Sequence, residues 1–268
     1  MAVEKLMNIE EKIKAEAVKL GLDMCGITNA SGKSIVVCLF PYYLSFKKSN
    51  ISRYAAVVDY HIISRKYLEK LAQNAKLLDY EIYADISPYN ERQLAYNAGL
   101  GVKGKNGLLI NKKYGSYIFI GLIVLNSTEL KSDTPLNEEC LKCGNCLKNC
   151  PGGALSDSGS NINKCISELT QKKGELSEAE KKLIIKTGSI WGCDICSEVC
   201  PMNKDITETP LPEFKENIIS SLYFKDLDGL SNKEFIKKYS DRAFTWRGKK
   251  VLIRNCGVLE NCQPVDNF

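Results

Sequence analysis

Eight of the twelve cysteines in this 268-residue chain lie between residues 140 and 200, most of them in two short motifs. The first motif reads C-x2-C-x2-C-x3-C-P and ends at Cys150-Pro151. In bacterial ferredoxins this run supplies three thiolates to one [4Fe–4S] cluster and a fourth thiolate to a second cluster. The second motif, C-x2-C-x3-C-P, runs from Cys193 to Pro201 and has one cysteine fewer. Cys165, which lies between the motifs, can supply the missing thiolate.

The pattern therefore predicts two [4Fe–4S] clusters with four thiolates each. The first predicted ligand set is Cys140, Cys143, Cys146 and Cys200. The second predicted ligand set is Cys150, Cys165, Cys193 and Cys196. Zinc is an alternative, although zinc sites usually combine two C-x2-C pairs or add histidines, and do not end twice in Cys-Pro. A disulfide framework requires an oxidising compartment, whereas the chain opens with Met-Ala-Val-Glu-Lys and not with a secretory signal.

A single carboxylate, Asp85, follows a predicted strand and precedes a glycine-rich loop at residues 98–106. Glycines such as Gly101 allow the backbone to approach a phosphate or a bulky cofactor closely. No Ser or Thr follows Lys105, so the loop is not a Walker A motif, and a structural turn is an equal alternative. Asp85 is a candidate general acid if burial raises its pKa, although an Asp before Ser-Pro is more commonly a cap or turn residue.

The elements that must position these residues follow from hydrophobic periodicity. Helices are predicted at residues 8–20, 55–78, 232–239 and 249–259, with another opened by Pro88. Strands are predicted at residues 24–28, 34–40, 80–84 and 116–125. This alternation indicates a layered α/β or α+β domain over residues 1–137.

Composition limits the class of protein. Hydrophobic residues make up 44% of the chain, and no apolar run approaches the ~20 residues that span a bilayer, so no membrane segment is expected. Thiolate ligands and the missing signal sequence favour a cytoplasmic protein. The net charge of +5 permits an anionic partner without requiring one.

Three further sets of residues are candidates for binding or packing roles. One set is a basic stretch near the C-terminus, which either contacts phosphates or forms a solvated helix face; these are equal alternatives. It contains Arg242, Arg247, Lys249, Lys250 and Arg254. Both tryptophans, Trp191 and Trp246, are expected to be packing residues. Cys25 and Cys38 are expected to be buried thiols, whereas Cys256 and Cys262 are left without a role.

The order of these motifs resembles the epoxyqueuosine reductases, a family of cobalamin-dependent enzymes with two [4Fe–4S] clusters. The resemblance covers most of residues 55–255 and includes the cysteine motifs described above. Its other matching segments are Asp59-Tyr-His61, Asp85-x-x-Pro88, Gly99-Leu-Gly-x-x-Gly-Lys-Asn106, Tyr114-Gly-Ser116 and Arg247-Gly-x-Lys-Val-Leu-x-Arg254.

The resemblance implies an α+β fold: a layered α/β corrinoid-binding domain at residues 1–137 with an inserted ferredoxin-like two-cluster domain at 138–204. A short helical segment at 205–268 would pack on both. Asp85 matches the family's proton donor. Segments that line the corrinoid (cobalamin) contain His61, Gly101, Lys105, Asn106 and Ser116. For His61, the only histidine, either a supporting hydrogen bond at the cofactor site or a satisfied position in a helix is favoured over cobalt ligation.

In the family, electrons pass through the two clusters to cobalt and then to an epoxide in a modified tRNA nucleoside. This chain is expected to be a short form without the C-terminal helical-repeat domain, so the substrate is expected to be small or nucleoside-like, and tRNA is the alternative. The expected electron donor is a ferredoxin or a flavodoxin. A protein of a different class, an electron carrier or reductive activator of a partner, would use the clusters without Asp85.

Overall fold

The computed structural model describes residues 7–47 and 50–260, and its first element is helix α1 (Ile9–Lys19). The Asn8 side chain accepts a hydrogen bond from the Glu11 backbone at 2.8 Å, and the Glu11 carboxylate accepts one from the Asn8 backbone at 3.2 Å. This reciprocal capping box fixes the start of the helix. Ile13 and Ala17 lie on its buried face, as the predicted periodicity requires.

The strands form one large sheet and two short hairpins. They are β1 (Cys25–Ala30), β2 (Lys33–Pro41), β3 (Tyr80–Ala84), β4 (Val102–Lys103), β5 (Leu109–Ile110), β6 (Ile118–Leu125), β7 (Leu155–Ser156) and β8 (Gly159–Ser160). The large sheet has the order β1-β2-β6-β3, and every neighbouring pair is antiparallel. The four strands predicted from the sequence are confirmed as the members of this sheet.

Both faces of the sheet are buried, because helices and loops cover each side. In β2, Val36 and Phe40 point into the core beneath α1, whereas Val37 and Leu39 point into the core on the opposite face. This alternation follows from the two-residue period of a strand. A strand buried on both faces reads as a continuous apolar run, as predicted for residues 34–40.

The helix predicted at residues 55–78 is wrong as a single element. The structure contains α2 (Arg53–Ala56) and then α3 (Tyr60–Ala75), which packs on the sheet. Asp59 interrupts the run because its side chain accepts a hydrogen bond from the backbone of His61 and caps α3. Lys76 adopts a left-handed conformation and ends α3.

Helix α4 (Glu91–Asn97) also begins later than expected, because its cap is Asn90, whose side chain accepts from the backbone of Gln93 at 3.1 Å. Pro88 lies before the cap, so its predicted place at the start of a helix is wrong. The further α-helices in the described part of the chain are α5 (Asn145–Lys148), α6 (Ile166–Gln171), α7 (Glu178–Thr187), α8 (Ile195–Glu198), α9 (Phe224–Leu227), α10 (Asn232–Lys238) and α11 (Lys249–Glu260). Both helices predicted near the C-terminus are confirmed as α10 and α11.

A third core joins the cysteine region to the C-terminal helices. Ile51 pairs with Trp191 in an isolated parallel bridge, and both side chains are fully buried. Residues of α2, α10 and α11 pack around them. The segment after the cysteine motifs therefore contacts both earlier regions, while the exact domain boundaries stay a prediction.

Candidate active site and cysteine groups

Asp85 lies directly after β3 in an unusual backbone conformation. Its φ angle is +73°, in the left-handed region that non-glycine residues rarely adopt. More than half of the side chain, 58%, is exposed. A strained, exposed carboxylate at a strand end is a feature that often marks a functional site.

His61, in the first turn of α3, is held between two carboxylates. Its Nδ1 lies 2.7 Å from an Asp59 oxygen, and its Nε2 lies 3.4 Å from an Asp85 oxygen. The capping of α3 by Asp59 therefore also orients the imidazole. Because both ring nitrogens have a carboxylate partner, the geometry fits the expected hydrogen-bonding role of His61.

These contacts favour protonation of His61 and ionisation of Asp85. Hydrogen bonds to Asp59 and then Asp85 raise the pKa of His61 to about 9. The hydrogen bond from His61 in turn lowers the pKa of Asp85, against a smaller opposing effect of burial. The net shift of the Asp85 pKa is therefore downward although burial acts to raise it, so at neutral pH Asp85 is a carboxylate and His61 an imidazolium. The role of Asp85 as the proton donor stays a prediction.

Tyr60 fixes the position of this pair. Its ring lies between His61, with centroids 4.1 Å apart, and Phe119 of β6, with centroids 4.0 Å apart. Burial, followed by the charge of Asp85, raises the pKa of Tyr60, so the phenol keeps its proton. Tyr60 is hydrogen-bonded to Asp85, which helps to hold that carboxylate charged.

Glu91 is a site residue that the sequence did not reveal. Burial raises its pKa to about 7, and the charge of nearby Asp85 acts in the same direction. Its Oε1 is buried and has no hydrogen-bond partner among the described residues. The first position of a helix is an ordinary place for a glutamate, so its sequence position carries no signal of this burial.

The remaining predicted cofactor residues lie toward the cysteine region. Ser116 donates a hydrogen bond to the Ser197 hydroxyl at 3.1 Å and accepts one from the Asn203 amide at 2.8 Å. At Gly101, the absence of a side chain lets the backbone before β4 lie close to β5. A Cβ atom there would lie 2.6 Å from the Ile110 carbonyl oxygen. Gly101 therefore has the structural role that was weighed as the alternative, and corrinoid contact by either residue stays a prediction.

Lys105 and Asn106 lie beside the first cysteine group, which is defined by Cys140, Cys143, Cys146 and Cys200. A small cavity is lined by these four thiols together with Lys105, Asn106, Ile110 and Gly144. The pKa of Cys146 is raised by burial and by the neighbouring Cys140 and Cys200. The structure thus brings Cys200 from the second motif to the first three cysteines.

The second cysteine group is defined by Cys150, Cys165, Cys193 and Cys196. Burial raises the pKa of Cys196 to about 12, with further contributions from the other three thiols. The backbone N–H of Ala154 donates to the Cys150 sulfur at 3.2 Å. Cys150 and Cys200, which end the two motifs, therefore belong to different groups.

A site for a single metal ion requires several ligand side chains placed close together. Thiolates that bind one zinc ion lie about 2.3 Å from it and are crowded together. Across residues 7–47 and 50–260, no three or more His, Cys, Asp or Glu side chains are placed so that they could hold one metal ion.

The partly buried Tyr54 lies near both Asp194 and Asp85. Burial raises the pKa of Tyr54, and the charges of both Asp194 and Asp85 raise it further. Asp194 directly follows Cys193 and accepts a hydrogen bond from the Arg53 backbone at 2.8 Å. Tyr54 therefore lies within the electrostatic reach of both candidate sites.

The basic C-terminal stretch is only partly available to a ligand. Arg242 is 3% exposed and donates to backbone carbonyls of two distant segments, so phosphate contact by this residue is excluded by its burial. Arg254 donates to the carbonyls of Lys172 and Gly174. An open cavity of about 400 Å³ is lined by Lys173, Gly174, Glu175, Arg247, Lys250, Val251 and Arg254.

The two tryptophans differ. Trp191 is fully buried, which confirms its predicted packing role. Trp246 is 63% exposed, and the Arg247 guanidinium lies 3.6 Å from its ring centroid, so the prediction of a packing role is wrong there. An exposed indole next to a basic cavity is a surface on which a nucleic-acid base could stack.

The other described cysteines, Cys25, Cys38 and Cys256, do not join the two groups. Cys25 and Cys38 are cross-strand partners with sulfurs 3.6 Å apart, and Cys38 is fully buried. Cys256 is 2% exposed, whereas Cys262 lies outside the described residues. Among the residues that the structure describes, no helix is both long and apolar enough to cross a membrane.

Comparison with protein families matches two regions of the chain. Residues 29–85 match the family described as "Epoxyqueuosine reductase QueG, DUF1730", and residues 139–203 match the "4Fe-4S double cluster binding domain". The epoxyqueuosine reductase of Lactococcus garvieae (strain Lg2) is 37% identical over 221 residues. That alignment covers 80% of this chain and 62% of the relative, so the chain spans about six tenths of its length.

Solved structures show the same architecture. A crystal structure of an epoxyqueuosine reductase with an epoxyqueuosine-modified tRNA-Tyr stem loop has a TM-score of 0.82 and 27% identity, and the match covers 94% of this chain and 81% of that one. The Bacillus subtilis enzyme, whose catalytic aspartate loop is swung out of the active site, has a TM-score of 0.80 and 26% identity, with 94% and 82% coverage. The matches establish the mixed α/β fold and a region for two [4Fe–4S] clusters.

Proposed function

We propose that this chain is a member of the epoxyqueuosine reductase family and that it removes the epoxide oxygen of a modified nucleoside in tRNA. The observation that carries the proposal is the contact between charged His61 and Asp85, 3.4 Å apart at the end of β3. A proton is held there next to an exposed carboxylate. An electron carrier has no need of such a pair.

The proposed iron ligands are the two cysteine groups defined above. Their donor sets consist of thiols alone, which suits [4Fe–4S] clusters, and the first group surrounds a small cavity. In the proposed ligand sets, the last cysteine of each motif binds the cluster held mainly by the other motif, as in two-cluster ferredoxins. Bound clusters would supply single electrons.

The proposed third cofactor is a corrinoid. His61 has both ring nitrogens engaged by carboxylates, so the site suits a group that takes no histidine from the protein as a metal ligand. The sequence neighbours of the pair, Ile62 and Ile86, are 50% and 86% exposed and offer apolar surface. A bound corrinoid would supply a reducible cobalt centre; the contacts expected of Gly101, Lys105, Asn106 and Ser116 with it are not needed for this proposal.

The chain's own residues hold and transfer the protons that the reaction needs. Conversion of an epoxide to an alkene and water consumes two electrons and two protons. His61 stores one proton, Asp59 stabilises the imidazolium, and Asp85 is the exposed oxygen through which the proton reaches the substrate. Glu91, with a pKa of about 7, is a nearby group that exchanges a second proton at neutral pH.

For the substrate, tRNA replaces the small or nucleoside-like molecule that the sequence favoured. A structurally similar epoxyqueuosine reductase binds a tRNA stem loop, and this chain carries a basic cavity with an exposed Trp246 beside it. Lysine, arginine and indole groups are the ones that recognise phosphates and unstacked bases. A ferredoxin or a flavodoxin stays the proposed electron donor.

The proposal is tested by anaerobic reconstitution with iron, sulfide and cobalamin. We expect about eight irons per chain, two [4Fe–4S] signals in the EPR spectrum of the reduced protein, and bound corrinoid in the ultraviolet–visible spectrum. Iron at that level without any corrinoid uptake would contradict the reductase and leave the electron-carrier alternative.

A further inference from the structure

The first cysteine group has two polar neighbours that the proposed reaction does not use. We propose that Asn106 donates an N–H hydrogen bond to the cluster bound by this group, and that Lys105, balanced by Asp157, sets the cluster's reduction potential. The inference rests on the proposed cluster ligation. It assigns Lys105 and Asn106 to the cluster instead of the corrinoid.

Asn106 carries an unused hydrogen-bond donor into the cysteine cavity. The residue is 8% exposed and lines the cavity together with the four thiols. Its Oδ1 accepts from the Leu108 backbone N–H at 3.2 Å, which fixes the orientation of the amide because only the oxygen can accept. The Nδ2 group is buried and has no partner among the described residues.

The loop provides the space for this side chain. A Cβ atom at position 104 would lie 2.4 Å from the Asn106 Oδ1, so Gly104 allows the amide to fold against the loop. A buried amide N–H without a partner is unfavourable, so an acceptor in the cavity would stabilise this arrangement. Cluster sulfur is such an acceptor.

Lys105 supplies charge to the same cavity. Its ammonium forms an ion pair with Asp157, in the turn between β7 and β8. Lys105 lines the same small cavity as Cys140 and Cys146, so its ammonium lies near the cluster that these thiols are proposed to bind. Asp157 therefore partly neutralises a cation that faces the first cysteine group.

The direction of each effect follows from electrostatics. Reduction adds one negative charge to a cluster, so an N–H donor or a cation nearby stabilises the reduced form and raises the potential. A carboxylate that neutralises the cation has the opposite effect. Asn106 and Lys105 should raise the potential of the first cluster, and Asp157 should lower it.

The test is an EPR-monitored redox titration of the reconstituted protein. Asn106→Leu should shift the reduction equilibrium of the first cluster at least tenfold toward the oxidised form, about 59 mV for a one-electron couple. Lys105→Gln should shift it in the same direction by less, and Asp157→Asn in the opposite direction. Lys33→Gln, which removes an exposed lysine paired with Glu81 on another part of the molecule, should change nothing.

The second cluster should keep its potential in all variants. The inference would be overturned if the potential of the first cluster stayed unchanged in both Asn106→Leu and Lys105→Gln. It would also be overturned if Lys105→Gln and Asp157→Asn shifted that potential in the same direction. Either result would leave the proposed function intact. If Asn106→Leu fails to fold, the variants Lys105→Gln and Asp157→Asn decide the matter. Wild-type protein without clusters would overturn both proposals.

Discussion

At the scale of single residues, the central finding is where the proton resides. A carboxylic acid that donates a proton at neutral pH needs a raised pKa, yet His61 lowers that of Asp85. The imidazolium is the acid of the pair, and its second partner, Asp59, strengthens its hold on the proton. The pair thus resembles other histidine–carboxylate arrangements, in which one carboxylate orients the ring and its opposite nitrogen serves the chemistry.

The pH dependence of this pair can be measured at one resonance, because His61 is the only histidine in the chain. NMR titration should give a pKa of about 9, above the usual value near 6.5. Since the folded-state pKa is raised, the pair contributes full stability below pH ~6.5 and loses that contribution as pH rises through about 9. Turnover should fall over the same upper range.

Asp85→Asn should move this resonance to a lower pKa, because it removes a carboxylate from Nε2. A titration midpoint near 6.5 in the wild-type protein would contradict the assignment of the proton to His61.

At the scale of elements, helix α3 carries the histidine and depends on the residue that orients it. Asp59 caps the helix by accepting from the His61 backbone at 3.0 Å, and it also binds the His61 ring. The sequence-based prediction of one helix over residues 55–78 missed this because apolar spacing continues across the break. A helix cap depends on a single side chain, so the spacing of apolar residues gives no sign of it.

The two roles of Asp59 can be separated by substitution. Asp59→Ser should keep the cap and the stability of the fold but lower the pKa of His61. Asp59→Ala should lower that pKa equally and also cost about 1 kcal/mol of unfolding free energy, the usual value of a cap. Denaturant unfolding together with the NMR titration checks both, and equal stability of the two variants would show that the cap is unimportant.

At the scale of the whole molecule, much of the arrangement could be predicted from the sequence. Cysteine spacing led to the groups that contain Cys150 and Cys200, and alternating apolar runs led to the four strands. What could not be predicted depends on contacts between distant segments. Lys105 and Asn106 lie at the first cysteine group because of the β4–β5 hairpin, and no local pattern encodes its docking.

Substrate binding is also a property of the assembled molecule, since the basic cavity combines the segment after α6 with α11. Lys173→Gln and Lys250→Gln should each weaken tRNA binding and reduce the slope of log affinity against log salt by about 1. Lys33→Gln is the matched control and should leave the slope unchanged. Binding that does not respond to salt would remove tRNA as the substrate.

The most direct test of the proposed reaction measures the loss of the epoxide oxygen from the nucleoside. Protein loaded with both clusters and cobalamin, supplied anaerobically with a strong reductant, is incubated with tRNA that carries epoxyqueuosine, and the nucleoside is analysed by mass spectrometry. We predict loss of one oxygen atom with the wild-type protein and none with Asp85→Ala, although that variant keeps its clusters and corrinoid. Fully loaded wild-type protein that leaves the epoxide intact, or an Asp85→Ala variant that removes it at the normal rate, would contradict the account.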